Sequence, residues 1–414
     1  MQITTQMIDE VADRIKSVVR KTPLEFNKRL SEEYHARIYL KREDLQEVRS
    51  FKIRGAYNKM AKLSLDEKKR GVVCASAGNH AQGVAYGCSA LKIKGVIFMP
   101  VVTPDQKIEK VNNFGGEFVE IRLEGNSFDE AALASQVYCQ KEHSVYVHPF
   151  NDPLVIAGQG TVAKEIYEEL NNRVDVVIAG IGGGGMISGV ASYFKAKNPQ
   201  VTIIGSEPEG AAGMQSSLRA GKVVTLTHVD TFVDGAAVKT VGENTFEICN
   251  ELLKKVVLVP EGLVATIMVE LYQNEGIIVE PAGALAVAAL DQVSAEIKNK
   301  TVVCIISGGN NDILRYGEIL ERSLVYQGLR HYFIIEFAQK PGQLRRFLDY
   351  CLGPTDDIVR FEYIKKSNKE KGPALVSLEL KDKQDLEPLL KRMKEIKLNF
   401  RIITSDDLLY HYII

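Results

Sequence analysis

From about residue 37 to 325 the chain alternates short runs that are apolar throughout with amphipathic stretches at helical spacing. The runs are "RIYLK", "GVVCAS", "GVIFMP", "GEFVEI", "VDVVIAG", "VTIIGSEP", "VVLVP" and "TVVCIISGG". A strand apolar on both faces must be covered on both, and an intervening helix lets successive strands run parallel. The alternation therefore predicts a doubly wound α/β body, with ligand chemistry at the loops that leave the carboxyl ends of its strands. Beyond Leu329 the pattern changes. "RHYFIIEFA", "DIVRFEYIKK", "ALVSLELK" and "FRIIT" alternate as half-exposed strands do, and they are interleaved with two helices, one of them "DLEPLLKRMKEI", before a final "LLYHYII". This predicts a small α+β module with an antiparallel sheet, in which the lysine-rich "KKSNKEKGP" reads as a solvated hairpin loop.

Charge narrows the partners. Over 414 residues, 52 Lys and Arg face 53 Asp and Glu, so the chain lacks the basic excess that nucleic acid or anionic lipid binding leaves. The N-terminal stretch puts Ile8, Val11, Ile15 and Val18 on one helical face with acids interspersed, unlike a signal peptide, and reads as the first helix of a cytoplasmic protein. Apolar tracts such as "GLVATIMVELY" are cut by charge or proline well short of a membrane span. The six cysteines never pair as CxxC and the seven histidines form no HxxxH set, which argues against structural zinc or a disulfide scaffold. Cys74 and Cys304 sit inside strand-like runs and read as small core residues.

The chemistry begins in "VDVVIAGIGGGGMISGVASYF", a buried strand, then Gly180 and Gly182 to Gly185, then a helix opening near Met186. Glycines let backbone amides approach an anion, and the positive end of the following helix favours a phosphate. Two phosphate compounds remain open here. "GIGGGG" satisfies GxGxxG, with Glu207 at the end of the next strand as a ribose-binding acid, the pattern of a dinucleotide-dependent oxidoreductase. Pyridoxal phosphate instead needs a cradle, a lysine for its aldehyde and a partner for its ring nitrogen. Lys52 in "RSFKIRGA" and Ser307 in "ISGGN" supply the last two, whereas a nicotinamide enzyme gives Lys52 no task.

The segments "KTPL", "IYLKREDLQ", "SFKIRGA", "SAGNHAQGVA", "GGGGMISG", "EPAGA" and "SGGN" together resemble the fold type II pyridoxal-phosphate enzymes, most closely the biosynthetic threonine dehydratases (threonine ammonia-lyases). The last 85 or so residues, with Pro341 and Gly342 in "AQKPGQLRRFL", resemble the single ACT-like regulatory domain of the shorter members. The resemblance implies a catalytic region over 1–325, with a small subdomain at roughly 53–150 inserted in a larger one, and a regulatory domain over 326–414. It implies a carbon–nitrogen lyase that converts L-threonine to 2-oxobutanoate and ammonia, the entry step of isoleucine biosynthesis. It further implies L-serine as a second substrate, L-isoleucine as the feedback inhibitor and a homotetramer as the assembly.

The resemblance also assigns residues. Lys52 is the covalent anchor of the cofactor and the base for the substrate's Cα proton. Gly182, Gly183, Gly184, Gly185 and Met186 bind the phosphate, with Ser188 as a cap at the same helix entrance. Asn79 bonds the phenolic oxygen, while Ser76, Ala77, Gly78, Asn79 and His80 receive the substrate carboxylate, and His80 alone reads equally well as structural. Ser307 faces the ring nitrogen; a hydroxyl cannot hold that nitrogen protonated by an ion pair, which suits elimination better than racemisation. Phe51, Glu280 and Gly235 are further pocket residues, with Glu280 at a helix start where it caps, and Asp234 lies on the same loop as Gly235. Ala77 stands where related serine racemases carry a proton-transfer serine, and Gly213 where they carry a second carboxylate beside Glu207, so racemisation and a bound metal are not expected. A non-catalytic amino-acid sensor driven by the C-terminal domain is the third reading.

Overall fold

The computed structural model describes residues 2–364, 369–404 and 407–413, and it divides into two compact units, Met1–Asn311 and Asp312–Ile414. Among the described residues the first unit carries β1 (Leu24–Phe26), β2 (Arg37–Arg42), β3 (Val72–Ala75), β4 (Gly95–Met99), β5 (Val119–Leu123), β6 (Val145–Tyr146), β7 (Val176–Gly180), β8 (Thr202–Pro208), β9 (Lys255–Val259) and β10 (Thr301–Ile306). A six-stranded sheet runs in the order β1-β2-β10-β7-β8-β9, and a four-stranded sheet runs β5-β4-β3-β6. Every pairing is parallel except β1 with β2.

Each apolar run holds a strand, although "GEF" turns as 3-10 helix before β5 begins at Val119. The pieces β1 and β6 have no signal in the sequence, because three and two residues are too short to show a period. Cys74 in β3 and Cys304 in β10 are fully buried. The first helix, Thr5–Ile15, buries Ile8, Val11 and Ile15; Val18 lies past its end.

The helix Lys52–Ala61 is the piece on which the site depends, and glycines set how closely its neighbours approach. A Cβ at Gly158, on the helix Pro153–Glu169, would stand 2.5 Å from the Gly55 Cα, and one at Gly83, on the helix Asn79–Leu91, would stand 3.2 Å from the Lys52 carbonyl carbon. The same helix is held from within by a buried ionic cluster. Arg54 donates to both Glu43 oxygens, at 2.7 and 2.8 Å, and to both Glu165 oxygens, at 2.6 and 2.9 Å. Lys41 lies 2.6 Å from Glu165, and Thr22 donates to Glu43 at 2.6 Å.

In the second unit β11 (Arg330–Ala338), β12 (Asp357–Tyr363), β13 (Lys371–Glu379) and β14 (Asn399–Ile403) form an antiparallel sheet ordered β12-β13-β11-β14. Phe333, Ile335 and Phe337 pack with Phe347, Leu389 and Met393 of the helices Gln343–Cys351 and Leu386–Glu395. Gly342 precedes the first of these helices at φ +84°, a conformation that suits glycine. Two readings shift. The helix Tyr316–Tyr326 falls in the second unit, not before a boundary at 325/326, because Val325 packs on Tyr332, Ile403 and Tyr410 and Glu321 pairs with Arg330. In the lysine-rich loop, residues 365–368 lie outside the described residues, and Lys371 to Pro373 already belong to β13, so the connection is shorter than the composition suggested.

Crowding at the glycine contact yields a test. Gly158→Ala should destabilise the protein by about 1–3 kcal/mol, the usual cost of overpacking, read as a lowered midpoint in urea unfolding of the first unit; an unchanged midpoint would show that the helices can separate freely.

Candidate active site

The neighbouring strands β7 and β10 end side by side, and the glycine loop follows one while "SGGN" follows the other. The segment before Lys52 is stitched to the second loop: Phe51 N donates to Ser307 O at 3.1 Å, Gly309 N to Arg49 O at 2.9 Å, and Ser50 bridges Gly308. Asn310 Nδ2 adds a bond to Val48 O at 2.7 Å. Two motifs more than 250 residues apart are thereby one short stretch of antiparallel backbone, and this sets the Lys52 side chain beside Ser307. One cavity is lined by Phe51, Lys52, Gly182 to Gly185, Met186, Gly235 and Ser307.

The glycine loop is shaped by close approach. A Cβ at Gly183 would fall 2.2 Å from the Phe150 ring, one at Gly185 3.0 Å from the Phe150 backbone, and Gly184 has φ +90°. The helix Gly185–Lys197 starts directly after it. No protein acceptor takes the amides of Gly182, Gly183, Gly184, Gly185 or Met186 among the described residues. Ser188 does not cap this entrance: it lies in the body of the helix, and its hydroxyl donates to Thr245 O at 3.4 Å.

Lys52 opens its helix, and its Nζ donates to Pro149 O at 3.0 Å and lies 5.3 Å from the centre of the Phe51 ring. Burial lowers its pKa to about 8, with the Glu280 charge acting in the opposite direction. Glu280 precedes the helix Pro281–Ala288 but makes no side-chain capping bond, so its expected capping role is corrected. Its carboxylate turns inward and accepts from Asn79 Nδ2 at 2.7 Å and from Asn310 N at 3.2 Å. Asn310 Nδ2 donates to Asn79 Oδ1 at 2.7 Å, which closes a three-residue ring and fixes which way the Asn79 amide faces. Burial, with Asp234 nearby, raises the Glu280 pKa to about 7. Asp234 itself pairs with Lys107 at 2.8 Å, at the edge of the cavity that Gly235 lines.

The loop Ser76–Gly78 follows β3 and leads into the helix Asn79–Leu91. The Ser76 hydroxyl accepts from Gly78 N at 3.2 Å and so closes the turn, while the amides of Ala77, Asn79 and His80 have no protein acceptor among the described residues. The His80 ring is engaged by the backbone of Val147. Its Nε2 lies 2.8 Å from Val147 O, and burial plus the Lys52 charge lower its pKa to about 3, which favours the structural role for its ring. Glu207 is likewise committed to structure. It accepts from Met214 N at 2.7 Å and Gln215 N at 2.8 Å, and so serves the helix Gly213–Ala220 rather than a ribose. Among the described residues no group of three or more His, Cys, Asp or Glu is placed to hold a metal.

Sequence reasoning missed Phe150, Pro149 and Asn310. Asn310 stands in the quoted "SGGN", but its bonds to Asn79 and Glu280 appear only on folding; "HPF" carries no periodic or spacing signal. The residues present fit pyridoxal phosphate, since unpartnered amides, a desolvated amine without a contacting carboxylate and a serine hydroxyl share one cavity.

Comparison with known proteins agrees. The family described as pyridoxal-phosphate dependent enzyme matches residues 15–308, and the C-terminal regulatory domain of threonine dehydratase matches residues 321–413. The chain is 51% identical over 412 residues to the biosynthetic L-threonine dehydratase of Bacillus subtilis (strain 168), covering 100% of this chain and 98% of the relative. The Lactococcus lactis subsp. lactis (strain IL1403) enzyme of the same description is 49% identical over 415 residues and covered in full on both sides. Among solved structures, the processed form of threonine deaminase isoform 2 from Solanum lycopersicum superposes with a TM-score of 0.74 at 41% identity, over 77% of this chain and 88% of that one. A serine racemase from Dictyostelium discoideum does so with 0.70 at 32% identity, over 75% and 99%.

The electrostatics give a pH test. In the cofactor-free chain the fraction of Lys52 present as free amine should rise through about pH 8, below the ordinary lysine range. Borohydride fixation of added pyridoxal phosphate at Lys52 should follow that titration. Glu280→Gln removes the charge that favours the ammonium form, so its midpoint should move to lower pH; a midpoint near 10.5 in both proteins would show that the amine is solvated.

Proposed function

Because the chain belongs to the pyridoxal-phosphate dependent enzymes, and among them to the biosynthetic threonine dehydratases, we propose that Lys52 carries the catalysis of threonine deamination, with the residues around it in the following roles. When bound, pyridoxal phosphate supplies an aldehyde for amines and a conjugated ring that delocalises the electron pair left at the substrate Cα. The amides of Gly182 to Met186, with the positive end of the helix Gly185–Lys197, hold the phosphate. The amides of Ala77, Asn79 and His80 receive the substrate carboxylate. Lys52 Nζ takes the Cα proton: an amine with a pKa of about 8 is deprotonated often enough near neutral pH to act as a base and basic enough to accept the proton.

Asn79, held by Glu280 and Asn310, orients the ring at its oxygen, and the Ser307 hydroxyl meets the ring nitrogen without a full negative charge. Phe51 and Phe150 exclude water from one side. The observation that carries this reading is the placement of a desolvated lysine, bonded to a carbonyl and, among the described residues, to no carboxylate, in the same cavity as five amides that have no protein acceptor among those residues.

The finer calls belong to this proposal. L-serine is a second substrate, since it differs from threonine by one methyl group and such a difference is worth only about 1–3 kcal/mol in a pocket. L-isoleucine is the feedback inhibitor, for which the match of residues 321–413 to a regulatory domain gives support. A cytoplasmic homotetramer is the expected assembly. No helix among the described residues is long and apolar enough to cross a membrane.

Release of 2-oxo acid from threonine and from serine, with and without isoleucine, tests these statements together. Both substrates should turn over, threonine turnover should fall in isoleucine, and Lys52→Ala should lose about 10²–10⁴-fold or more in kcat while its unfolding midpoint stays close to that of the parent. Unchanged turnover in Lys52→Ala would remove the lysine from the mechanism.

A further inference from the structure

The loop from Gly182 to Gly185 is clamped from two sides. A Cβ at Gly183 would meet the Phe150 ring at 2.2 Å, and one at Gly184 would stand 2.8 Å from the Thr245 Cβ and 2.9 Å from the Met214 Cε. Thr245 lies in the first turn of the helix Glu243–Leu252 and is fully buried. The two sides are tied together, because Asn244 N donates to Asn151 Oδ1 at 2.9 Å and Asn244 Nδ2 donates to Asn151 O at 3.1 Å, next to Phe150.

The Thr245 hydroxyl has one proton and two carbonyls in reach, Gly183 O at 2.6 Å and Gly242 O at 3.0 Å. A threonine near a helix start ordinarily bonds to backbone within its own turn, yet here the shorter bond crosses 62 positions to the glycine loop. A trans peptide is planar, so its carbonyl and its N–H point in opposite directions. Fixing the Gly183 carbonyl toward Thr245 therefore fixes the Gly184 amide away from it. The cavity is lined by Gly183 and Gly184 but not by Thr245, so the carbonyl is held from behind the loop. The amide is left on the cavity side, where it has no protein acceptor among the described residues.

We propose that Thr245 is a positioning residue for the cofactor's phosphate: its hydroxyl sets the peptide between Gly183 and Gly184 so that the Gly184 amide faces the anion. The proposal rests on the reading of the glycine loop as the phosphate site and adds the residue that orients it. With glycine on both sides this peptide would otherwise rotate at little cost, since glycine accepts φ of either sign. A donor already turned toward the anion loses no free energy in reorienting when the anion binds.

The affinities of the full-length, cofactor-free chain for pyridoxal phosphate and for pyridoxal test it, in the parent, Thr245→Val, Thr245→Ala and Thr245→Ser. Both compounds carry the aldehyde that reacts with Lys52 and one alone carries the phosphate, so the ratio of their affinities isolates the loop. Thr245→Val keeps the shape and removes the donor, Thr245→Ala removes both, and Thr245→Ser keeps the donor. The urea unfolding midpoint is the control that each chain is folded. The preference for pyridoxal phosphate should fall at least about tenfold in Thr245→Val and Thr245→Ala and stay at the parent value in Thr245→Ser. A parent-like preference in either folded variant without the hydroxyl, even with both affinities lowered, overturns the role of Thr245 while the phosphate reading stands, as does a Thr245→Ser that loses as much as Thr245→Val. A parent that shows no preference overturns both.

Discussion

The buried ion cluster of Arg54 with Glu43 and Glu165 holds the site in place. Arg54 is two residues beyond Lys52 on the same helix, 1% exposed, and it engages two carboxylates from separate elements through four hydrogen bonds. Burial opposes charge on Glu43, but Arg54 and Lys41 beside it keep its pKa below the usual carboxylate range. Removing one partner would leave an uncompensated buried charge, which is far more costly than never having had the pair. The cluster therefore works as a lock: the strand β2 with the turn that follows it, the helix Pro153–Glu169 and the helix of Lys52 satisfy one another's charges in this arrangement. It also accounts for Thr22, Lys41 and Glu43 in the segments "KTPL" and "IYLKRED", which lie outside the cavity.

Two lysines show how context decides chemistry. Lys41 is fully buried beside Glu165, with Glu169 at 3.4 Å and the Thr22 carbonyl at 2.6 Å, and its charge belongs to the lock. Lys52 meets a carbonyl and a phenyl ring, so its ammonium form has only dipoles and the more distant Glu280 to stabilise it. The same side chain is a structural cation in one place and an amine that loses its proton more readily in the other, because desolvation disfavours charge wherever no counter-charge is in contact.

A similar division of labour runs through the polar residues around the cavity. Glu280, Asn79 and Asn310 form a closed ring in which each residue restrains another, while the amides of the glycine loop have no protein acceptor among the described residues. Rigid, pre-oriented donors of this kind stabilise anions without reorganising during a reaction.

Much of this architecture was legible in the chain. Uniformly apolar runs separated by helical periods specify parallel strands whatever else surrounds them, and each of the eight runs does hold a strand. The glycines after β7 and the lysine in "RSFKIRGA" stand out in the chain as a candidate anion loop and a candidate amine, and the fold brings both to one cavity. What no local pattern contains is which distant groups meet. That Glu280 turns inward instead of capping, that His80 bonds the Val147 carbonyl and that Asn310 orients Asn79 were all decided by pairings between residues tens to hundreds of positions apart. Local propensity and periodicity act over a few residues and so are written in the sequence. Hydrogen-bond partners, desolvation and the pKa values they set depend on three-dimensional neighbours, and those exist only once the sheets have formed.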